Sequence, residues 1–458
     1  MIFFAIMATD LTKGPVLRVL LRFSIPYLLS CFLQTFYGLA DLCITGWYYG
    51  ASTISAVSIG SQLMHMITVV TAGLAIGSTV CIARAMGAKD RRQASAAAGN
   101  TVTLFIIVSA VMTLLLIAGA DKVIAALSTP EQAVAETKQY AVICFLGIPC
   151  ITAYNVISSI FRSTGDSRHP MYFVMAAGVI NILLDCLFIG PLHMGARGAA
   201  LATVIAQSCS VVFALVMLRR LDTGITMRPQ NLRPGQPLRG ILKIGAPIAL
   251  QDGLIQISFL VITAIANMRG VVAAASVGIV EKLISFLFLV PSAMLSSVSA
   301  IASQNAGAGR HGRSVQVLRY AVIICIAFGS LASAICIVQA ERILSLFASH
   351  EPHITAMGSQ YLRSYVFDCI FAGVHFCFSG YFCAYGKSNY SFIHNLTSIV
   401  LVRIPGAYLA SLWYPDTLFP MGLAAPAGSL LSAGICLLLF FINTPSAHTA
   451  DSMVYFNK

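Results

Sequence analysis

The chain has 458 residues, 58% of them hydrophobic and only 10% charged, with a formal net charge of +12 and a mean hydropathy of +0.85. A water-facing globular surface carries roughly 25% charged residues, so the composition excludes a soluble domain and specifies a polytopic membrane protein. The positive charge is gathered in particular loops, which excludes nucleic acid as its partner.

Met1 to Ala8 is too short for the apolar core of a signal peptide, and Met7-Ala8-Thr9-Asp10-Leu11-Thr12 reads as an alternative start. Apolar runs of about 20 residues, the length that spans a bilayer, are predicted twelve times. They lie near 20–46, 52–80, 95–119, 138–161, 170–191, 197–218, 241–267, 272–300, 316–339, 359–384, 390–413 and 420–442. The segment 121–139 is polar and predicts a short surface helix starting at Thr129-Pro130-Glu131. Gly165-Asp166-Ser167 and Gly386-Lys387-Ser388 predict tight turns in which glycine supplies the positive φ. The longest polar connection, 219–240, is rich in Arg and Pro and predicts an extended linker.

Three echoes at nearly one offset divide the chain in two. Phe23-Ser24-Ile25-Pro26 returns as Ile244-Gly245-Ala246-Pro247, and Ile82-Ala83-Arg84-Ala85-Met86-Gly87-Ala88 returns as Ile301-Ala302-Ser303-Gln304-Asn305-Ala306-Gly307-Ala308. Phe161-Arg162-Ser163-Thr164-Gly165-Asp166-Ser167 returns as Phe382-Cys383-Ala384-Tyr385-Gly386-Lys387-Ser388. The expected fold is therefore all-α: an N-terminal lobe over 1–218, a cytoplasmic linker over 219–240 and a C-terminal lobe over 241–458. Six spans is an even number, so both lobes share one orientation and a pseudo-two-fold axis runs along the membrane normal. A membrane protein of two like halves carries its substrate between them. With both termini in the cytoplasm, twenty Lys and Arg residues fall on that side and five on the other, as the positive-inside rule requires. The thirteen cysteines are scattered through apolar segments without metal-ligand spacing and read as small hydrophobes.

Polar residues inside a span need a reason. Tyr37 and Asp41 lie four apart on the first span, as do Asn181 and Asp185 on the fifth, so each pair shares a helix face. Asp41 is 15 residues from Pro26 and Asp185 is 15 from Pro170; at the helical rise both acids sit on the order of 22 Å from the cytoplasmic side. Two carboxylates, an amide and a phenol at one level form a cluster that Thr203, Gln207 and Asn155 can complete. Acids held away from water are costly to keep charged, so the pair reads as a proton- or cation-binding switch, with sodium at Asp41 and Asp185 as the metal alternative. Pro26 is expected to break the first helix near its cytoplasmic end by freeing the Arg22 carbonyl. In the second half Asp252, Glu281 beside Lys282, Asp368 and Arg403 form either structural pairs, Arg403 with Glu281 or Asp368, or a second substrate or ion site. Phe36, Tyr154 and Phe286 can stack on a cationic ligand or simply pack, and His375 and His394 are expected in satisfied positions.

With these residues in hand, the chain resembles the multidrug and toxic compound extrusion (MATE) family over nearly its whole length. The resemblance rests on Leu11-Thr12-Lys13-Gly14-Pro15, Phe23-Ser24-Ile25-Pro26, Leu39-Ala40-Asp41 and Ala83-Arg84-Ala85-Met86-Gly87-Ala88-Lys89-Asp90. It rests also on Gly165-Asp166-Ser167, Asn181-Ile182-Leu183-Leu184-Asp185 and the stretch from Gly195 to Thr203. It implies two six-helix lobes and export of lipophilic, often cationic compounds against proton or sodium entry, with no enzyme activity and no cofactor beyond the coupling ion. It further implies a multi-pass protein of the cytoplasmic membrane, taken as a monomer. In the DinF-like branch the cluster matches Tyr37, Asp41, Asn181, Asp185 and Thr203, with Pro26 on a bending helix. The NorM-like branch has a Glu eight residues past the seventh-helix Pro; Ile255 stands there in this chain, and Asp252 and Asp368 are only partial substitutes. The alternatives are a lipid-linked oligosaccharide flippase of the same superfamily and a major-facilitator-type carrier. The flippase lines its cleft with several cations where this chain has Arg403 and Lys282. The carrier's Gly-x-x-x-Asp-Arg order is missing from the chain.

Overall fold

The computed structural model describes residues 10–127, 129–348 and 351–443. Nearly all of them are helical, because a chain with this little polar surface must satisfy its backbone within each segment. The helices of the first half are α1 (Val16–Tyr48), α2 (Ala51–Gly87), α3 (Arg91–Ala118), α4 (Ala120–Ala126), α5 (Glu131–Leu146), α6 (Ile148–Ser163), α7 (Arg168–Ile189) and α8 (Gly195–Arg220). A 3₁₀ turn, Pro229–Leu232, precedes α9 (Gln236–Asn267), α10 (Val271–Leu287), α11 (Leu289–Gly307), α12 (His311–Ser345) and α13 (Pro352–Tyr365). The chain then forms α14 (Asp368–Ala384), α15 (Ser388–Ser398), a π turn (Ile399–Arg403), α16 (Ile404–Trp413) and α17 (Phe419–Asn443).

Ten helical stretches are long and apolar enough to cross a membrane, and the bent pairs α5–α6 and α13–α14 bring the number to twelve when each is taken as one span. The first bend, 45°, falls at Gly147, where a Cβ would lie 2.6 Å from the Val204 side chain on α8. Only a glycine admits that approach. Turn chemistry sets the other ends: Asp90 accepts from the Gln93 amide at 2.9 Å to cap α3, and Gly165 and Gly386 have φ of +89° and +71°.

Two expectations are corrected. Pro26 does not break α1, which runs through it as one helix; a membrane helix tolerates a proline, which forgoes one intrahelical hydrogen bond. The 121–139 segment does not start a surface helix at Thr129: the short helix is α4, and Glu131 opens the first arm of a bent span. The linker residues 221–235 hold no α-helix, only one 3₁₀ turn. That turn is docked on α3, where Asn100 Nδ2 donates to the carbonyls of Asn231 (3.0 Å) and Arg233 (3.2 Å) and Thr103 Oγ1 donates to Leu232 (2.6 Å). The buried Asn100 amide and the half-buried Thr103 hydroxyl on α3 thus find partners in the linker backbone, which a proline-rich composition does not reveal.

Contacts gather the described residues into two units. One runs to Gln256 and includes Ser292–Ala321 and Gly380–Ser388; the other holds Ile257–Pro291, Val322–Ser379 and Asn389 onward. Within the first unit two echoed glycines meet reciprocally. A Cβ on Gly87 would lie 2.0 Å from the Gln304 carbonyl, and one on Gly307 would lie 2.0 Å from that of Arg84. The Arg84 guanidinium donates to the Ala384 carbonyl, Gln304 Nε2 donates to Ser163 O at 2.6 Å, and Arg310 Nη1 donates to Thr12 O at 2.6 Å.

Candidate functional site

In the first unit α1, α7 and α8 bring the predicted acids together. Gly178 on α7 lets Tyr37 of α1 lie close, its ring 3.4 Å from where a Cβ would stand. One turn on, Asp41 and Asp185 face each other with Asn181 beside them. All three are buried, at 3%, 0% and 1% exposure. Their side chains interact, yet Asp41 Oδ1, both Asp185 oxygens and both amide atoms of Asn181 lack any partner in good hydrogen-bond geometry. Thr203 Oγ1 approaches Asp41 Oδ2 at 3.4 Å but spends its proton on the Ala199 carbonyl at 3.0 Å. Gln207 Nε2 donates to the Tyr37 hydroxyl at 3.1 Å and extends the cluster along α8. No ion pair reaches either acid among the described residues.

Asn155 is not part of this cluster. Its amide on α6 donates to Thr71 Oγ1 of α2 at 3.2 Å, satisfying a buried group between two packed helices. Tyr154 is buried, with its hydroxyl 3.4 Å from the Pro170 carbonyl. Phe36 is 63% exposed on α1. Asp252, on α9, lies over Gly73 of α2, 2.7 Å from where a Cβ would stand.

The second unit holds a different constellation. Arg403, at the end of the π turn, donates to the Tyr365 hydroxyl at 2.5 Å and lies 3.7 Å from Asp368 Oδ2. Its guanidinium also stands 5.0 Å from the Phe259 ring centroid, a cation–π distance. Asp368 opens α14 at the second bend, where the helix N-terminus favours a negative charge. Glu281 accepts from Thr263 Oγ1 at 2.9 Å and feels the charge of Arg403; Lys282, its neighbour, is exposed. His394 Nε2 is 3.0 Å from Ser379 Oγ, with the His375 ring 5.4 Å away, while Nδ1 of each histidine lacks a hydrogen-bond partner. Among the described residues no three His, Cys, Asp or Glu side chains converge as a metal-binding group.

A family model described as MatE matches residues 26–187 and again 247–409. The chain belongs to the MatE family. The two matches start 221 residues apart (247 minus 26), at Pro26 and Pro247. MatE proteins are transporters of the multidrug and toxic compound extrusion type, not enzymes, which sets aside the major-facilitator alternative. Similar proteins include the probable multidrug resistance proteins YpnP and YoeA of Bacillus subtilis (strain 168). YpnP is 29% identical over 406 residues, covering 89% of this chain and 91% of its own; YoeA is 28% identical, covering 74% and 75%. The multidrug export protein MepA of Staphylococcus aureus (strain NCTC 8325 / PS 47) is 24% identical, covering 82% and 83%. MATE crystal structures in the straight and the bent conformation, each 22% identical, superpose with a TM-score of 0.87 over 94% and 95% of this chain and 97% of theirs. They share the fold.

Sequence reasoning missed Tyr365, the closest polar partner of Arg403, although it lies three residues before Asp368, across the second bend. It also missed Tyr140, which hydrogen-bonds Ser61 at 3.0 Å and lies within electrostatic reach of Asp41 and Asp185. An isolated tyrosine in an apolar run carries no pattern to mark it.

Proposed function

We propose that this MatE protein is a cation-coupled antiporter of the cytoplasmic membrane, exporting lipophilic, often cationic compounds by alternating access. Asp41 and Asp185 are the coupling carboxylates, with Asn181, Tyr37 and Thr203 around them, as in the DinF-like branch. The observation that carries the reading is a pair of acids facing each other in the membrane without a cation or a full set of hydrogen bonds. Keeping both charged there is costly, so a proton or sodium ion is the natural third member. The oxygens of Asp41 and Asp185 with the carbonyl of Asn181 and the hydroxyl of Thr203 form an all-oxygen donor set, which suits a hard cation as well as a proton.

Binding of the ion neutralises the pair and changes how α1 sits against α7, and the Pro26 point, short of one helix hydrogen bond, is where α1 yields. That related structures are known in straight and bent conformations supports a moving element. Two six-helix lobes over 1–218 and 241–458, with both termini cytoplasmic, give the rocking bodies. The protein works as a monomer, without a cofactor beyond the coupling ion. The flippase alternative asks for several cations in the substrate path, whereas Lys282 is exposed and Arg403 is engaged by Tyr365 and Asp368. Substrate-induced proton or sodium release from purified protein in liposomes, across a panel of organic cations, tests the reading. Release of neither ion with any transported compound would overturn it.

A further inference from the structure

We infer that the cytoplasmic end of α1 and α7 is a binding site for the phosphate headgroup of an anionic phospholipid. A cavity of about 410 Å³ there is lined by the leader preceding α1, the first turns of α1, the Gly165–Ser167 turn and the first turns of α7. Four cations line it, Lys13, Arg18, Arg22 and Arg168, against two acids. Both acids are already engaged. Asp10 accepts from the Thr12 hydroxyl at 2.6 Å and pairs with Lys13 at 3.2 Å. Asp166 accepts from the amides of Arg168 (2.9 Å) and His169 (3.2 Å) and pairs with the His169 ring.

Arg18, Arg22 and Arg168 are left with no ion pair among the described residues. Arg18 and Arg22 are four apart on one face of α1, where like charges repel unless an anion sits between them. The first turn of α1 adds uncapped backbone amides and no acidic residue, so the positive end of its dipole points the same way.

The exposed apolar residues say which anion. From Arg22, α1 presents Ile25, Leu29, Phe32 and Phe36 at alternating spacings of three and four, one continuous face. From Arg168 and Tyr172, α7 presents Met175, Val179 and Leu183, each four residues from the last. Two apolar stripes leading away from a basic cavity fit a headgroup with two acyl chains, and basic pockets at the cytoplasmic face of membrane helices recognise such headgroups. A free phosphate ester would use the cavity and leave the stripes unused.

The test is native mass spectrometry of the full-length protein with phosphatidylglycerol or phosphatidylcholine supplied in defined amounts. Phosphatidylglycerol is expected to be retained in excess, and the Arg18→Gln/Arg22→Gln double variant to lose that excess by roughly tenfold or more. A Lys89→Gln/Arg92→Gln variant, which removes the same charge from the α2–α3 turn, should keep it. Arg168→Gln alone replaces the double variant should the latter fail to reach the membrane. Equal retention of the two lipids, or equal loss in the two double variants, would overturn the site. Displacement by millimolar glycerol 3-phosphate or inorganic phosphate would assign the cavity to a soluble phosphate instead. No transport is measured, so the outcome is independent of the antiport reading.

Discussion

The Asp41–Asp185 and Asp368–Arg403 constellations are built in opposite ways. On α1 and α7, Asp41 and Asp185 face each other with no cation, and their oxygens go largely unpartnered. In the second unit the Asp368 oxygens likewise lack a hydrogen bond, but Oδ2 lies 3.7 Å from Arg403, which is further held by Tyr365 and faced by Phe259. One constellation is short of a positive charge and the other carries its own. A site that can gain or lose a proton or cation is useful for coupling; a site already neutralised from within is useful for rigidity. The local backbone differs accordingly. Asp41 and Asp185 sit on regular helix, whereas Asp368 and Arg403 occupy a bend and a π turn, where the irregular backbone aims side chains at one another.

This contrast can be broken most directly at Asp41. Asp41→Asn is expected to reduce substrate-driven ion release in proteoliposomes to the level of empty vesicles while leaving the folded protein intact by size-exclusion chromatography. Wild-type exchange by that variant would remove Asp41 from coupling. Arg403→Ala should do the reverse and act on stability first. Removing one partner of a buried pair costs about 3–5 kcal/mol, read as a lowered midpoint of thermal unfolding in detergent. An unchanged midpoint would mean the pair is not what holds that region.

A smaller effect is expected where the echoed glycines cross. Gly87→Ala places a Cβ 2.0 Å from the Gln304 carbonyl, and overpacking of this kind costs about 1–3 kcal/mol. The strained contact is at the α2 and α11 C-termini, beside the Ser163 carbonyl that Gln304 Nε2 reaches, so a cysteine introduced at Ser163 should become more reactive to a water-soluble maleimide; unchanged labelling would show that the contact yields without opening. Thr203→Val should have the mildest consequence. Its bond to Asp41 is the long arm of a shared hydroxyl, so the loss is below about 1 kcal/mol, a few-fold change in apparent ion affinity rather than loss of exchange.

Much of the site was legible because charged and amide side chains are rare inside an apolar chain. Asp41, Asn181 and Asp185 stand out for that reason, and counting helical rise from Pro26 and Pro170 brings the two acids to one level. Asn155 stood out equally and lies elsewhere: its depth was readable, but the direction it faces depends on how α6 rotates against α2. Gly147 and the Val366–Phe367 junction, where two spans bend, look unremarkable in sequence because a bend is decided by what packs against it. Tyr140 and Tyr365 are unmarked on the same account, being indistinguishable from packing aromatics until a partner is opposite them.

The membrane class, the helical content, the twofold internal repetition and the acids worth attention were all determined by the sequence alone, since each follows from composition or from spacing along one helix. Which acid meets which partner was decided only by tertiary structure. Arg403 had Glu281 and Asp368 equally open to it on paper; the π turn and the bend before α14 bring it to Tyr365 and Asp368. The echoed glycines were visible as a repeat, but their mutual contact depends on helices from both halves approaching within backbone distance. Helical periodicity fixes the face of a residue on its own segment, and says nothing of what another segment will place against that face.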